Sequence, residues 1–298
     1  MQVRYDLENY KAVYGFSCVE NQTLAILKEN NENISYLYNK EISLKELYYE
    51  FIENKRQLYN LSLVPRVQDT LKELGVIRLG LEKNKTFTRL LAETESFEHN
   101  KYLLFKTEKD FTRKVLGARG WREDHFVRIE ASDDGYIMIN DIPAAARLLT
   151  KDELEKAYGS EFFIMRVVGR IESADESRLL KESNYINDGG GIRCFNRDDF
   201  DDYGFLAGFR NMALAYRTFQ LRKRAFMNNF IDTGFAAELI SEIGKIYSAA
   251  EYYNLRKIND TGKTEELVRR LSDIDIKLNN EYLSRRSDVF GRHDSGSK

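Results

Sequence analysis

From Phe205 to Tyr282 the chain repeats apolar residues at i, i+3 and i+4. Only a helix gathers that spacing onto one face. The pattern predicts three long helices, over Phe205 to Phe230, Ala236 to Lys257 and Thr264 to Tyr282. Their short connections imply antiparallel packing of neighbours. The last third of the chain is therefore bound to helical architecture, and any sheet must come from the residues before it.

Those earlier residues alternate between the two periods. Ser17 and Glu20, Ser43 and Glu46, and Thr150 and Glu153 each make an S/T-x-x-E helix start. Shorter helices are expected near 67–74 and 88–97, with extended runs at 76–81, 101–106 and 162–168. Phe126 to Ala131 and Tyr136 to Asn140 flank Asp133-Asp134-Gly135, the signature of a β-hairpin. From 171 to 202 the pattern dissolves around Asn187-Asp188-Gly189-Gly190-Gly191. The expected class is α+β: an antiparallel-sheet domain over 1–170, then a mainly helical region over 171–298.

Composition removes several function classes. Two cysteines and three histidines in 298 residues build neither a four-thiolate zinc site nor a disulfide scaffold, and no metal-ligand spacing occurs. A net charge of −2 argues against a nucleic-acid-coating protein. The first ten residues carry Arg4, Asp6 and Glu8, unlike an export signal, and no stretch is apolar enough to span a bilayer. The expectation is a cytoplasmic protein with no membrane and no nucleic-acid partner, whose Cys18 and Cys194 are free thiols.

Cys18 follows the capping Ser17, so it is expected at the first helical position. There the helix dipole favours a thiolate, and backbone N–H groups face the oxyanion formed on any carbonyl that the sulfur attacks. The alternative is a small buried hydrophobe, the commonest fate of a free cysteine. His125 opens the strand His125-Phe126-Val127-Arg128-Ile129 and supplies an imidazole, either as a base or as a satisfied structural side chain. The neighbouring strand ends in Asn140-Asp141-Ile142-Pro143, whose amide or carboxylate can orient that imidazole. Hairpin register decides between them. A two-residue turn at Asp134-Gly135 pairs Ile129 with Asn140 and puts Asn140 on the His125 face, whereas a three-residue loop puts Asp141 there. Cys194 lacks both cap and base and reads as structural, and His99 and His293 carry no assigned role.

Together, the capped cysteine helix, the His-Phe-Val-x-Ile strand, the D-D-G turn, the strand end Asn-Asp-x-Pro and the Thr-Lys-Asp-Glu-Leu helix start resemble papain-like cysteine enzymes. The resemblance covers about the first 165 residues and is to the C39-peptidase-like branch, leaning toward the butirosin-type acyltransferases. It implies a Cys-His-Asp triad: Cys18 as nucleophile, His125 as base then acid, and Asp141 as orienter, with Asn140 as alternative. It also implies amide formation in antibiotic biosynthesis, from an acyl thioester on a carrier protein and an amine acceptor. No cofactor of the enzyme's own is implied, since phosphopantetheine arrives on the acyl or peptidyl carrier protein. One departure stands out. The peptidases place an oxyanion-hole glutamine six residues before the cysteine, where this chain has Ala12; Gln2 is too distant, and Gln22 lies within the helix. A thioester asks less of oxyanion stabilisation than an amide does, so the departure weighs against a C39-like peptidase or amidase. A non-catalytic binding protein of papain-like fold is the other alternative. Trp121, in the polar loop before His125, is a candidate for the wall of an acyl tunnel, and Arg217, Arg222, Lys223 and Arg224 are candidates for docking an acidic carrier.

Overall fold

The computed structural model describes residues 7–56, 58, 66–96, 98–111, 125–141, 143–183, 203–258 and 260–290. Trp121, Cys194 and His293 lie outside them. The chain is mixed helix and sheet and divides into two units. The first comprises 1–34 and 65–176, the second 35–64 and 177–298. The sequence boundary near 170 thus differs in one respect: 35–64 packs with the C-terminal helices.

In the first unit the elements are α1 (Cys18–Glu29), α3 (Val67–Glu73), β1 (Ile77–Glu82), α4 (Phe87–Glu95), β2 (Lys101–Thr107), β3 (Phe126–Ser132), β4 (Gly135–Asp141), β5 (Ala144–Leu149), α5 (Lys151–Ala157) and β6 (Tyr158–Val167). α2 (Leu44–Tyr48) belongs to the second unit. The six strands form one antiparallel sheet in the order β1-β6-β2-β3-β4-β5. Strand alternation puts Leu103, Phe105, Val127, Ile129 and Met138 on one face, where they pack with Leu90 and Leu91 of α4 and Leu154 of α5. The opposite face carries Arg128, Ile139 and Asp141, and there Arg128 bonds Glu29 of α1 at 2.5 Å.

The hairpin closes differently from either expected loop. Ser132 pairs with Gly135, so Asp133-Asp134 are the two turn residues and Ile129 faces Met138. Gly135 has φ 140°, and a Cβ there would lie 2.5 Å from the Leu149 carbonyl oxygen of β5. This register is shifted by two residues from the Asp134-Gly135 turn. An even shift preserves side-chain faces, so Asn140 still shares a face with His125.

The second unit contains α2, a π-helical turn at Tyr49–Glu53, and three long helices: α7 (Tyr203–Met227), α8 (Ala236–Arg256) and α9 (Thr261–Phe290). The division between units falls within α6 (Ser173–Lys181), a helix inside the stretch where the sequence pattern dissolves. Leu37, Tyr38, Leu44, Leu47 and Phe51 are buried, as are Phe209, Tyr216 and Phe219 of α7. Among the described residues no helix is long and apolar enough to cross a membrane.

Candidate functional site

Ser17 caps α1, its hydroxyl accepting the Glu20 N–H at 3.2 Å, and so makes Cys18 the first helical residue. The Glu20 carboxylate does not return to Ser17, as it would in a full capping box. It accepts instead from Phe16 N–H at 2.6 Å and Val67 N–H at 3.3 Å, so it fixes the loop before the cysteine and the start of α3. Across from the cysteine, the Phe126 N–H donates to Cys18 Sγ at 3.3 Å, which brings the sulfur to the residue next to His125. The His125 carbonyl is held by the Thr107 N–H at 2.8 Å and the Thr107 hydroxyl at 3.2 Å. Cys18, His125, Asn140 and Asp141 therefore come from the start of α1, the start of β3 and the end of β4, at the end of the hairpin away from its turn.

The imidazole is held by Asn140. His125 Nε2 lies 2.6 Å from Asn140 Oδ1, and Asn140 Nδ2 donates to the Pro143 carbonyl at 2.9 Å. The second bond fixes which end of the amide faces the ring, so Nε2 is the donor and carries the proton. The lone pair of the neutral ring is then on Nδ1. Asp141 Oδ1 lies 3.9 Å from Nε2, beyond hydrogen-bond reach. The hydrogen bond to the histidine thus falls to Asn140, and Asp141 contributes its charge from nearby. Asp141 Oδ2 accepts from Asn21 Nδ2 at 2.8 Å, while Oδ1 is buried without a hydrogen-bond partner among the described residues.

Burial governs the electrostatics. The Cys18 thiol is pushed up to about 12, first by burial and then by the Asp141 charge. The N–H groups of Phe126, Val19 and Cys18 act the other way but are outweighed. The helix start therefore does not leave a resting thiolate: desolvation exceeds the dipole. His125 is shifted down by burial, against the opposing pulls of Asp141 and the Asn140 hydrogen bond. Both directions favour the neutral forms, a thiol at Cys18 and an imidazole at His125.

Sequence reasoning missed the polar run that follows the cysteine. Glu20, Asn21, Gln22 and Thr23 are all buried, although polar residues inside a helix usually face solvent. Asn21 Oδ1 accepts the Gly15 N–H at 2.8 Å while its Nδ2 holds Asp141. Gln22 Nε2 donates to the Ile139 carbonyl at 3.0 Å, and its Oε1 accepts from the Tyr10 hydroxyl at 2.5 Å. Gln22 is fully buried, so it braces β4 and is closed to a substrate. The available signal was positional: polar side chains at four successive positions occupy every face of a helix that goes on to Leu24, Ala25, Ile26 and Leu27. Ala12 has φ 56° and offers no side-chain donor.

The four basic candidates on α7 divide, Arg217 and Arg224 being half-buried. Arg222 and Lys223 are buried. Lys223 bonds both carboxylate oxygens of Glu41 at 2.7 and 2.8 Å, and the Arg222 guanidinium lies over the Tyr38 ring at 5.3 Å. Arg222 and Lys223 thus anchor the 35–64 segment and are not exposed to an acidic partner. His99 is exposed. Among the described residues no group of three His, Cys, Asp or Glu side chains is placed to hold a metal ion. No protein-family model matches the sequence, and a comparison with curated proteins finds no match.

Proposed function

We propose that this chain is a papain-like cysteine acyltransferase of the C39-peptidase-like, butirosin-type group. In this reading it forms an amide from a carrier-protein-bound acyl thioester and an amine. A narrower form of the proposal is amide synthesis of the kind found in closthioamide biosynthesis. The observation that carries it is the convergence at Cys18: the sulfur touches the Phe126 N–H, and the adjacent His125 is held through Nε2 by Asn140 with Asp141 close by. A nucleophile, a base and an orienting group in that order are what covalent acyl transfer requires.

In the first step Sγ bonds to the thioester carbonyl carbon while its proton passes to His125 Nδ1. The carbon–sulfur bond to the carrier then breaks, and the carrier thiol leaves with that proton. In the second step the amine nitrogen bonds to the acyl carbon, His125 takes a proton from it, and the bond to Cys18 breaks as Sγ is reprotonated. With the thiol pushed up to about 12, proton transfer accompanies attack; no standing ion pair is needed.

The test is intact-protein mass spectrometry with an acyl N-acetylcysteamine thioester and no amine. The expected result is one acyl adduct, lost in Cys18→Ala and discharged by added amine. Absence of an adduct on Cys18 overturns the proposal. Turnover of an amide substrate without turnover of the thioester assigns the site to an amidase instead.

A further inference from the structure

Asp141 is a buried acid with its two oxygens treated differently. Oδ2 accepts from Asn21 Nδ2 at 2.8 Å, whereas Oδ1 is closed to solvent, has no hydrogen-bond partner among the described residues and lies 3.9 Å from His125 Nε2. Among the described residues, the cation that can arise beside this enclosed atom is the His125 imidazolium. A rotation of the carboxyl group toward the ring would replace Asn140 as the partner of Nε2. What opposes that rotation is Asn21. Its other end is fixed by the Gly15 N–H at 2.8 Å, and a Cβ on Gly15 would lie 2.4 Å from Asn21 Oδ1. The Asn21 amide therefore cannot follow the carboxyl group without losing the loop that precedes Cys18.

We propose that Asn21 is a positioning residue: by gripping Asp141 Oδ2 it holds the carboxyl group short of His125 and leaves Nε2 to Asn140. The histidine then rests as a neutral Nε2–H tautomer with its lone pair on Nδ1, ready to accept a proton. Asp141 acts only when that proton arrives, stabilising the imidazolium across a short gap. The same grip ties the loop before Cys18 to the end of β4, so nucleophile and acid keep one spacing. Among the described residues, the titratable groups around Asp141 are Tyr10, Cys18 and His125, with Arg128 close to Tyr10. Arg128 is already bound by Glu29 and Glu130, and burial pushes the Tyr10 phenol well up, so both keep their charge state near neutral pH.

The proposal rests on the reading of Cys18 and His125 as nucleophile and base, but its test needs no substrate. The titration midpoint of His125 is followed by NMR of the ring Cε1–H, assigned by its loss in His125→Gln. In Asn21→Ala the released carboxyl group pairs with Nε2, and the midpoint is expected to rise by about one pH unit. In the double variant Asn21→Ala, Asp141→Asn that rise is expected to vanish, because the effect passes through Asp141. An unchanged midpoint in folded Asn21→Ala, or a rise that persists in the double variant, overturns the proposal. Asn21→Ser, whose hydroxyl is too short to span both partners, serves if the alanine variant does not fold. The intact protein gives an independent reading: ring ¹⁵N shifts at pH 7 are expected to show the neutral Nε2–H form. An imidazolium or the Nδ1–H form there overturns the proposal whether or not Cys18 accepts an acyl group.

Discussion

Cys18 starts a helix, a place that ordinarily favours a thiolate, yet burial and the Asp141 charge raise its thiol to about 12. The lesson at this scale is that position along a helix is legible in sequence while desolvation is not. Ser17-Cys18 announces the cap, but nothing in the residues nearby says that the Phe126 N–H will meet the sulfur or that the Asp141 charge, over a hundred positions away, will act on it. The shift has a consequence for stability. An acid whose folded value is raised contributes stability in full below its unfolded value, about 8.5 for a thiol, and loses it as pH climbs toward the folded value. Between pH about 8.5 and about 12 the wild type should therefore lose stability relative to Cys18→Ala, by on the order of a few kcal/mol at the upper end. Tyr136 and Tyr158, also raised to about 12, add losses of the same sign that cancel in the comparison. Urea midpoints of the two proteins across that range check the expectation, and parallel curves would refute it. His125 works at the other end: its value is lowered, so its contribution is present above about 6.5 and declines as pH falls.

At the scale of elements, the helix starts were the most readable feature, because a cap is written in adjacent residues. Ser43 and Thr150 form complete capping boxes, while Ser17 keeps only half of one since Glu20 is drawn off to Phe16 and Val67. β5 was not readable. Its Ala144-Ala145-Ala146 run has little intrinsic strand preference and is extended because it pairs with Asp141, Asn140 and Ile139 of β4. α6 escaped notice because its charged sequence buries only Leu179. The hairpin was foreseen but its turn was not, and the face of Asn140 survived only because the register moved by an even number. Local geometry at the start of α1 makes a sharp prediction. In Gly15→Ala the new methyl collides with Asn21 Oδ1 at 2.4 Å and with the Asn21 backbone nitrogen at 2.9 Å, so loop and helix must separate. The expected result is destabilisation by about 1–3 kcal/mol together with faster iodoacetamide labelling of Cys18 as the loop opens. A variant with unchanged melting and labelling would show that the loop yields without consequence.

At the scale of the whole molecule, the order of residues and the order of packing disagree. A boundary near 170 treats the chain as two consecutive pieces, yet 35–64 leaves the first unit and joins the second before the chain returns at 65. Sequence periodicity sees helices but not which unit they serve: Leu44, Leu47 and Phe51 form an apolar stripe that fits either partner. The packing is specific all the same. Glu41 meets Lys223, Tyr36 packs edge-on against Phe226 at 6.2 Å, and a Cβ on Gly208 would lie 2.6 Å from the Phe51 carbonyl oxygen. Expressing residues 1–176 alone strands this segment. Leu37, Tyr38, Ile42, Leu44, Leu47 and Phe51 are nearly inaccessible in the intact chain. At about 1.5–3 kcal/mol for each large apolar side chain, their burial is worth on the order of 10 kcal/mol. The fragment is accordingly expected to aggregate and to bind a hydrophobic dye, because an apolar stripe of that size on a surface seeks a partner. Replacing 36–63 in the same fragment with a Gly/Ser linker of equal length removes the stripe and spares every residue of the candidate site. Light scattering and dye binding compare the two fragments directly. If 1–176 stays as soluble and as dye-free as its linker counterpart, the segment does not depend on the C-terminal helices for its burial, and the interleaved division of the chain fails.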